Sequence, residues 1–598
     1  MGFFKSNLEF LRQNDNALAE RVEKRTERSR IAIETAANGE PTLKLRGLAI
    51  HSFRDPAKDG ENWARRAVAE HNLSRTDMVT VLGFGLGYHL KGLASLGIHG
   101  TVIEPDLDLI TTALENLDLT DVLSNFRIIA GLTPERLRRA HSDDLARTIL
   151  PHPPSLRIHP DILGTLNSYG DALKGAREGG MKILLVNPIN GGSLPIARYC
   201  ASALRRMGHI VTTFAAEAFS GGMDFADNYR FDRCRHALRN DLAATISRGV
   251  ELMAKETRPD LVLALAQAPL LSETLARLAE MDIPTAFWFV EDYRVLTYWR
   301  EVAPHYRYFF GIQKEDFRKE LAAIGVSNYS YLPVAAAPDI HAPVELSPEE
   351  RKEYGSPLSF VGAGYYNRCN LFKGLADYPF RIWGSDWPFS PPLDRLIQLN
   401  GKRIDTETCV RIFNASAVNL NLHSSLSHEG VVPDGDFVNP RTFEIAACGA
   451  FQLVDRRSLL GELFSDGELE QFDSLPELRD RIDHYLDRPD ERAALAEKGR
   501  RRVLAEHTYD RRMEELLALI LVDNRALAEK VRLRREEHSA LYERIGGQEG
   551  LREVLGRLPQ GPAPTLEGIY SALRGGDGEL SRAEKIFLAL KNVELKMD

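Results

Sequence analysis

The sequence predicts an α/β protein assembled from several Rossmann-like units in a row, and three observations predict it. Short continuous apolar runs alternate with amphipathic helical stretches along most of the chain, the pattern of parallel strands buried on both faces. Glycine-rich turns directly follow apolar runs at 83–87, 191–192 and 362–364. The pattern starts afresh at Met181 and again at Leu358, and at roughly one domain per 150 residues a chain of 598 residues holds about four units.

Taken in order, residues 1–60 form a helical lead-in whose stretch 8–33 is rich in charge and reads as a solvated helix. Residues 61–180 carry the first unit: VLGFGLGYHL, a helical stretch, TVIEPD as a second strand and FRIIAG as a third, with the proline-rich LPHPPSLRIHP as the exit. Residues 181–340 open with MKILLV and continue through LVLALAQ, TAFWFVED, YRYFFGIQ and YSYLPV. A polar linker, APDIHAPVELSPEERKEYGSP, leads into the unit at 341–523, with strands LSFVGAG, FRIWGSD, AVNLNLH and AFQLVD followed by three helices. Residues 524–598 are helical in pattern, interrupted by GGQEG, PQGPAP and RGGDGE.

Composition narrows the function classes. Lys plus Arg number 76 against 85 Asp plus Glu, a formal net charge of -9, so no global attraction to nucleic acid or anionic lipid is expected. The five cysteines, Cys200, Cys234, Cys369, Cys409 and Cys448, show no CxxC spacing; neither a zinc module nor a disulfide framework is expected, and a reducing cytoplasmic compartment is. No run of 18 apolar residues occurs, so no membrane span is expected.

Ligands of open α/β sheets sit beyond the carboxyl ends of the strands, so strand-end residues are the candidates. In FVGAGYYNR, Gly362 and Gly364 stand where backbone N–H groups and a helix start hold phosphate, with Arg368 adding charge; a plain tight turn explains the same glycines equally well. In NPRTFEIAACGAFQLVD, a helix entered through Asn439, Arg441 and Thr442 carries Glu444. Glu444 is a candidate to accept from both hydroxyls of a ribose and Arg441 to neutralise a pyrophosphate with its fork of donors, a plain surface Arg and Glu being the alternative. In the first unit, Gly83, Gly85 and Gly87 precede Glu104, and the 21-residue interval from Gly83 to Glu104 fits a nucleotide or S-adenosylmethionine site.

The segment NPRTFEIAACGAFQLVDRRSLLGELF, with AVNLNLH before it and DERAALAEKGRRRVLAEHTYDRRMEELL after it, resembles the C-terminal half of CgeB-type glycosyltransferases, which are similar to the GT-B enzymes that use nucleotide sugars. The resemblance covers about residues 181–523 and implies twin Rossmann-like domains with a crevice between them. It implies that Glu444 binds the donor ribose, with Asp436 standing eight residues earlier where the retaining enzymes carry a Glu. It places Gly191, Gly192 and Ser193 near the donor phosphates and Glu291 and Asp292 at the crevice mouth as candidate bases, although an acidic pair at a strand end also serves as a cap or ion-pair partner. His423, ending AVNLNLH, is a candidate for contact with donor phosphate or leaving-group oxygen, and a lone histidine at a strand end is as often structural. The expected donor is a UDP- or GDP-sugar, and no metal or other cofactor is expected: no DxD ends a strand there, and the carboxylate pair Asp434 and Asp436 lies in a loop.

The first unit resembles the N-terminal domain of Maf motility accessory factors and, over the same stretch, methyltransferases. The former implies a protein acceptor such as flagellin, with a surface glycan as the alternative; the latter implies S-adenosylmethionine, but no methyl-transfer motif and no complete Maf catalytic region follow, so a degenerate Rossmann unit used for docking or acceptor recognition is expected over a second active enzyme. A noncatalytic nucleotide-binding scaffold and a bifunctional methyltransferase and glycosyltransferase are the rival readings.

Overall fold

The computed structural model describes residues 2–24, 31–75, 77–131, 148–433, 435–544, 573 and 580–594. It is α/β with three parallel sheets and one small antiparallel sheet.

The chain begins with two helices, Gly2–Asn14 and Asn16–Glu23, that are packed rather than solvated. Leu8, Leu11, Leu18, Ala19 and Val22 are buried, and the Asn7 amide donates to the Leu114 and Leu117 carbonyls while its oxygen accepts from the Leu119 N–H. High surface charge masked an apolar stripe at helical spacing. Strands β1 (Ile33–Thr35), β2 (Pro41–Leu45) and β3 (Leu48–Ala49) then form an antiparallel sheet inside what reads in sequence as a helical lead-in.

The first parallel sheet contains β4 (Met78–Leu82), β5 (His99–Glu104), β6 (Phe126–Ala130) and β7 (Thr148–Pro151), in the order β6-β5-β4-β7. The proline-rich stretch expected as the exit instead supplies the strand paired to β4 and the short helix Pro153–Ile158. Pro151 ends its strand and Pro153 opens its helix at a first-turn position, where proline removes no needed donor.

The second parallel sheet has six strands, β8 (Lys182–Val186), β9 (Ile210–Phe214), β10 (Leu261–Leu265), β11 (Thr285–Phe289), β12 (Tyr308–Gly311) and β13 (Tyr329–Tyr331), in the order β13-β12-β11-β10-β8-β9. β10, β11 and β12 are buried at every position, as continuous apolar runs require. The third has five, β14 (Leu358–Val361), β15 (Phe380–Trp383), β16 (Val418–Asn421), β17 (Gln452–Asp455) and β18 (Glu470–Phe472), in the order β15-β14-β16-β17-β18.

The helix Tyr509–Asp523 follows the third sheet in sequence but packs against the helices Ile162–Arg177 and Ser193–Arg206 beside the second sheet. The chain therefore crosses between the halves twice, and the crossings are bonded together: Ala336 N–H donates to the His507 carbonyl at 3.0 Å and Tyr509 N–H to the Ala336 carbonyl at 2.9 Å. Among the described residues no helix is long and apolar enough to cross a membrane. The interrupted segments GGQEG, PQGPAP and RGGDGE lie outside the described residues.

Candidate active site

The carboxyl ends of β8, β10, β11 and β12 meet the loops of the third sheet, with contacts at Gly191, Tyr199 and Gln313 joining the two halves. Gly191 adopts φ +95°, a left-handed conformation that suits glycine, and a Cβ there would come within 2.5 Å of Gln267 Oε1. Gly192 faces open space, and Ser193 starts its helix with its hydroxyl donating to the Ala266 carbonyl at 3.0 Å. The Gly191 carbonyl accepts from Arg403, which reaches over from the other half at 2.9 Å, and Tyr199 meets Thr406 at 3.1 Å. The Gly-rich turn thus stands at the junction of the halves.

Glu291 lies beside it. It accepts from Gln267 Nε2 at 2.6 Å and from the Tyr298 hydroxyl at 3.0 Å. Burial pushes its carboxyl up to about 7, against the opposing pull of those two donors, so it titrates near neutrality, where a general base works best.

Asp292 and Asp436 come from opposite halves and are joined by one amide. Gln313 Nε2 donates to Asp292 Oδ1 at 3.1 Å and to Asp436 Oδ1 at 2.9 Å, while Gln313 Oε1 accepts from the Tyr293 N–H at 2.9 Å. Arg294 adds a bond to Asp436 at 2.9 Å. Both carboxylates keep about a fifth of their side-chain surface, 18% each, open to solvent. Asp434 lies outside the described residues.

The loop bearing Asp436 is fixed from below. His423, fully buried, meets Asp455 through Nδ1 at 2.6 Å and accepts the Asn439 N–H on Nε2 at 2.9 Å. With Nε2 accepting, Nδ1 carries the proton that Asp455 receives. Burial holds the imidazole down to about 4, so it is neutral, while His423 and Arg457 outweigh burial and hold Asp455 at about 2. Phe437 lies edge-on to His423, and Arg457 sits beneath Gly435. Both ring nitrogens of His423 are committed, so contact with the donor phosphate is corrected to the structural one of its two readings: it positions the loop.

Glu444 is 4% exposed, but its surroundings are polar. It pairs with Arg441 one helical turn back and faces His341 Nε2 at 3.8 Å. Burial pushes its carboxyl up, yet Arg441 and His341 outweigh that and hold it below the ordinary carboxylate value. The helix Pro440–Ala447 is capped by Asn439, whose side chain accepts the Thr442 N–H at 3.1 Å, and ends at Cys448 with Gly449 in the left-handed region at φ +67°. Asn439 and Thr442 also bond to Asn421 in a buried network, so both hold the helix start. The Ala-Cys-Gly bend is a helix stop, and it fixes where Glu444 falls.

Other expected donor contacts are occupied within the fold. The N–H groups of Gly362 and Gly364 donate to the Trp383 and Ser385 carbonyls, which leaves the tight-turn reading for these glycines. Arg368 is buried and spends its guanidinium on the Leu422 and Ala363 carbonyls. In the first unit Glu104 is fully buried and accepts from the Phe84 and Asp106 N–H groups at 2.7 and 3.0 Å, so the acid braces the glycine turn itself. A Cβ on Gly83 would strike Ser155 and one on Gly85 would strike His51, while Gly87, at φ +85°, precedes the helix Tyr88–Ser95. Side chains of this chain occupy the space over that turn.

Gln267, Gln313, Arg294 and Arg403 join these groups without belonging to any motif of the sequence. The two glutamines end the runs LVLALAQ and YRYFFGIQ, the same position that marks Glu291 and Asp292, so a signal was there.

Residues 368–518 match a family model described as glycosyl transferase-like. The spore protein CgeB of Bacillus subtilis (strain 168) is 25% identical over 276 residues, 44% of this chain and 84% of that protein. Among solved structures, sucrose-phosphate synthase from Thermosynechococcus elongatus is similar at 13% identity, covering 57% of this chain and 98% of its own, with a TM-score of 0.40. Anabaena Alr3699/HepE, solved in complex with UDP-glucose, is similar at 14% identity over 59% of this chain and 99% of its own, with a TM-score of 0.38.

Proposed function

We propose that the chain is a glycosyltransferase that takes a sugar from a UDP- or GDP-type donor lodged in the crevice and passes it to a hydroxyl of a protein, flagellin among the candidates, or of a surface glycan. The observation that carries this reading is the meeting of Asp292 and Asp436 at Gln313, which brings carboxylates from both halves to the strand ends where ligands of such sheets bind. The match of residues 368–518 to a glycosyl transferase-like family supports it.

In this reaction the bond from the anomeric carbon to the diphosphate oxygen breaks and its electron pair leaves with the diphosphate. The acceptor oxygen bonds to the same carbon and gives its proton to Glu291 or Asp292. The helix start at Ser193, with Arg403 and Arg441, meets the charge on the leaving diphosphate without a metal. Glu444 holds the ribose.

The purified chain incubated with a panel of nucleotide sugars should release free nucleotide slowly from one of them and faster once acceptor is supplied. Asp292→Asn and Glu291→Gln should each lower turnover by about 10²–10⁴-fold, the usual worth of a positioned proton acceptor. A chain that binds nucleotide sugars yet releases nucleotide from none would leave the scaffold reading in place.

A further inference from the structure

The side chains over the glycine turn of the first unit include three buried histidines that the transferase reading does not use. His51 comes from the loop after β3, His89 from the helix Tyr88–Ser95 and His152 from the residue after β7. They are 5%, 1% and 5% exposed, and one ring nitrogen from each lies within 4.8 Å of the others. The rings of His89 and His152 stack at 4.1 Å with an interplanar angle of 1°. Half-buried Trp63 meets both edge-on.

The hydrogen bonds around the cluster leave a lone pair uncommitted at His89 and at His152, while that of His51 is held by a backbone N–H. His89 Nε2 contacts the Gly83 carbonyl at 2.9 Å, so that nitrogen carries the hydrogen and the lone pair falls on Nδ1. That Nδ1 is buried with no hydrogen-bond partner. His152 Nδ1 lies 2.9 Å from the Ser155 hydroxyl, and donation there leaves the lone pair on Nε2. His51 Nε2 accepts the Leu86 N–H at 2.7 Å.

We propose that His51, His89 and His152 bind one divalent transition-metal ion of the zinc or cobalt class, with an open coordination position for water or an anion. Three imidazole nitrogens plus an exchangeable ligand is a standard first-row metal set. The outer contacts have the form such sites use: the second ring nitrogen is fixed by a carbonyl at His89 and by a hydroxyl at His152. Tetrahedral nitrogens on zinc lie about 3.4 Å apart at the usual bond length, and lone pairs in parallel ring planes do not converge, so the rings close in and the stacked His89 and His152 turn toward the ion. His51 exchanges its bond from Leu86 for the ion, while His89 gives up nothing.

The test uses the full chain without a histidine tag, stripped of metal by chelator and titrated with Co²⁺ and Zn²⁺. Visible d–d absorption of bound Co²⁺, one equivalent of ion retained after gel filtration, and a rise in melting temperature with Zn²⁺ are expected. His89→Ala and His152→Ala should each weaken binding by at least about tenfold to a hundredfold, the loss seen even for outer contacts. Replacing exposed His484 by Ala should leave binding unchanged. Ser155→Ala, keeping all three ligands, should give a smaller loss. Absence of a Co²⁺ spectrum in the wild-type chain overturns the proposal, as does binding that persists in folded His89→Ala and His152→Ala variants. If both variants misfold, the wild-type spectrum and the Ser155→Ala titration decide it.

Discussion

Glu444→Gln is the most informative perturbation, because it separates a structural ion pair from a ligand-binding one. Glu444 is buried against Arg441 and His341, and the isosteric amide removes the negative charge while keeping the shape. Stranding one member of a fully buried pair costs about 3–5 kcal/mol. Arg441 keeps about a third of its side-chain surface, 34%, in contact with water, which screens the stranded cation and brings the expected loss down to about 2–3 kcal/mol. At about 2–4 °C per kcal/mol for a unit of 150–250 residues, the melting of that unit should fall by about 4–12 °C. The double variant Arg441→Met with Glu444→Gln removes the stranded cation and should recover most of the stability. Donor affinity should not recover with it, since the ribose partner is gone: a hydrogen bond to a charged group is worth about 1.5–3 kcal/mol, roughly tenfold to a hundredfold in Kd. Scanning calorimetry and titration of UDP and GDP against uridine and guanosine read the two quantities independently. Full recovery of donor affinity in the double variant would refute the ribose assignment, leaving Glu444 and Arg441 as a purely structural pair.

Other outcomes follow from the same geometry. Glu291 has a folded pKa of about 7 against an ordinary carboxylate value of 4.5, so the folded chain keeps a proton that the unfolded chain has released between those limits. Stability should therefore fall as pH rises through that window, turnover should rise through about pH 7, and Glu291→Gln should flatten both profiles. Gln313→Ala should loosen Asp292 and Asp436 together and raise KM for the donor, whereas Gln313→Glu, placing a third carboxylate between them, should reduce donor binding further. Asp455→Asn should cost about 3 kcal/mol by stranding Arg457, seen as a lower urea midpoint. Because His423 and Arg457 hold Asp455 at about 2, its contribution should be complete above pH 3.8 in the wild type and lost as pH falls toward 2.

The strands of the three parallel sheets were largely legible, because a strand buried on both faces must be an unbroken apolar run; MKILLV, LVLALAQ, TAFWFVED and LSFVGAG each became one. β7 was hidden by its prolines, and β1 to β3 were too short to leave a pattern. The helix pair at the start was misread because charge dominates its composition while a few apolar positions carry its packing. At the site, position could be read and partnership could not. Glu291 and Gly191 meet at Gln267, and Asp292 and Asp436 at Gln313, but nothing local to Asp292 announces that its carboxylate shares an amide with Asp436 in the other half. Arg368 and His423 were legible as polar groups at strand ends, and their burial against backbone carbonyls and Asp455 was not. The histidine trio escaped notice for the same reason: its members stand in three separate segments, with none of the spacing by which metal sites announce themselves.

The twin crossings at Ala336 and Thr508 have a mechanical consequence. Two connections at separate places would clamp the halves in one pose, and a single one would let them swivel freely. Laced side by side, they join the halves along one edge, and the contacts of Arg403, Thr406 and Asp436 join them further. Any parting of the halves must break those contacts, whereas the laced edge is held by backbone hydrogen bonds.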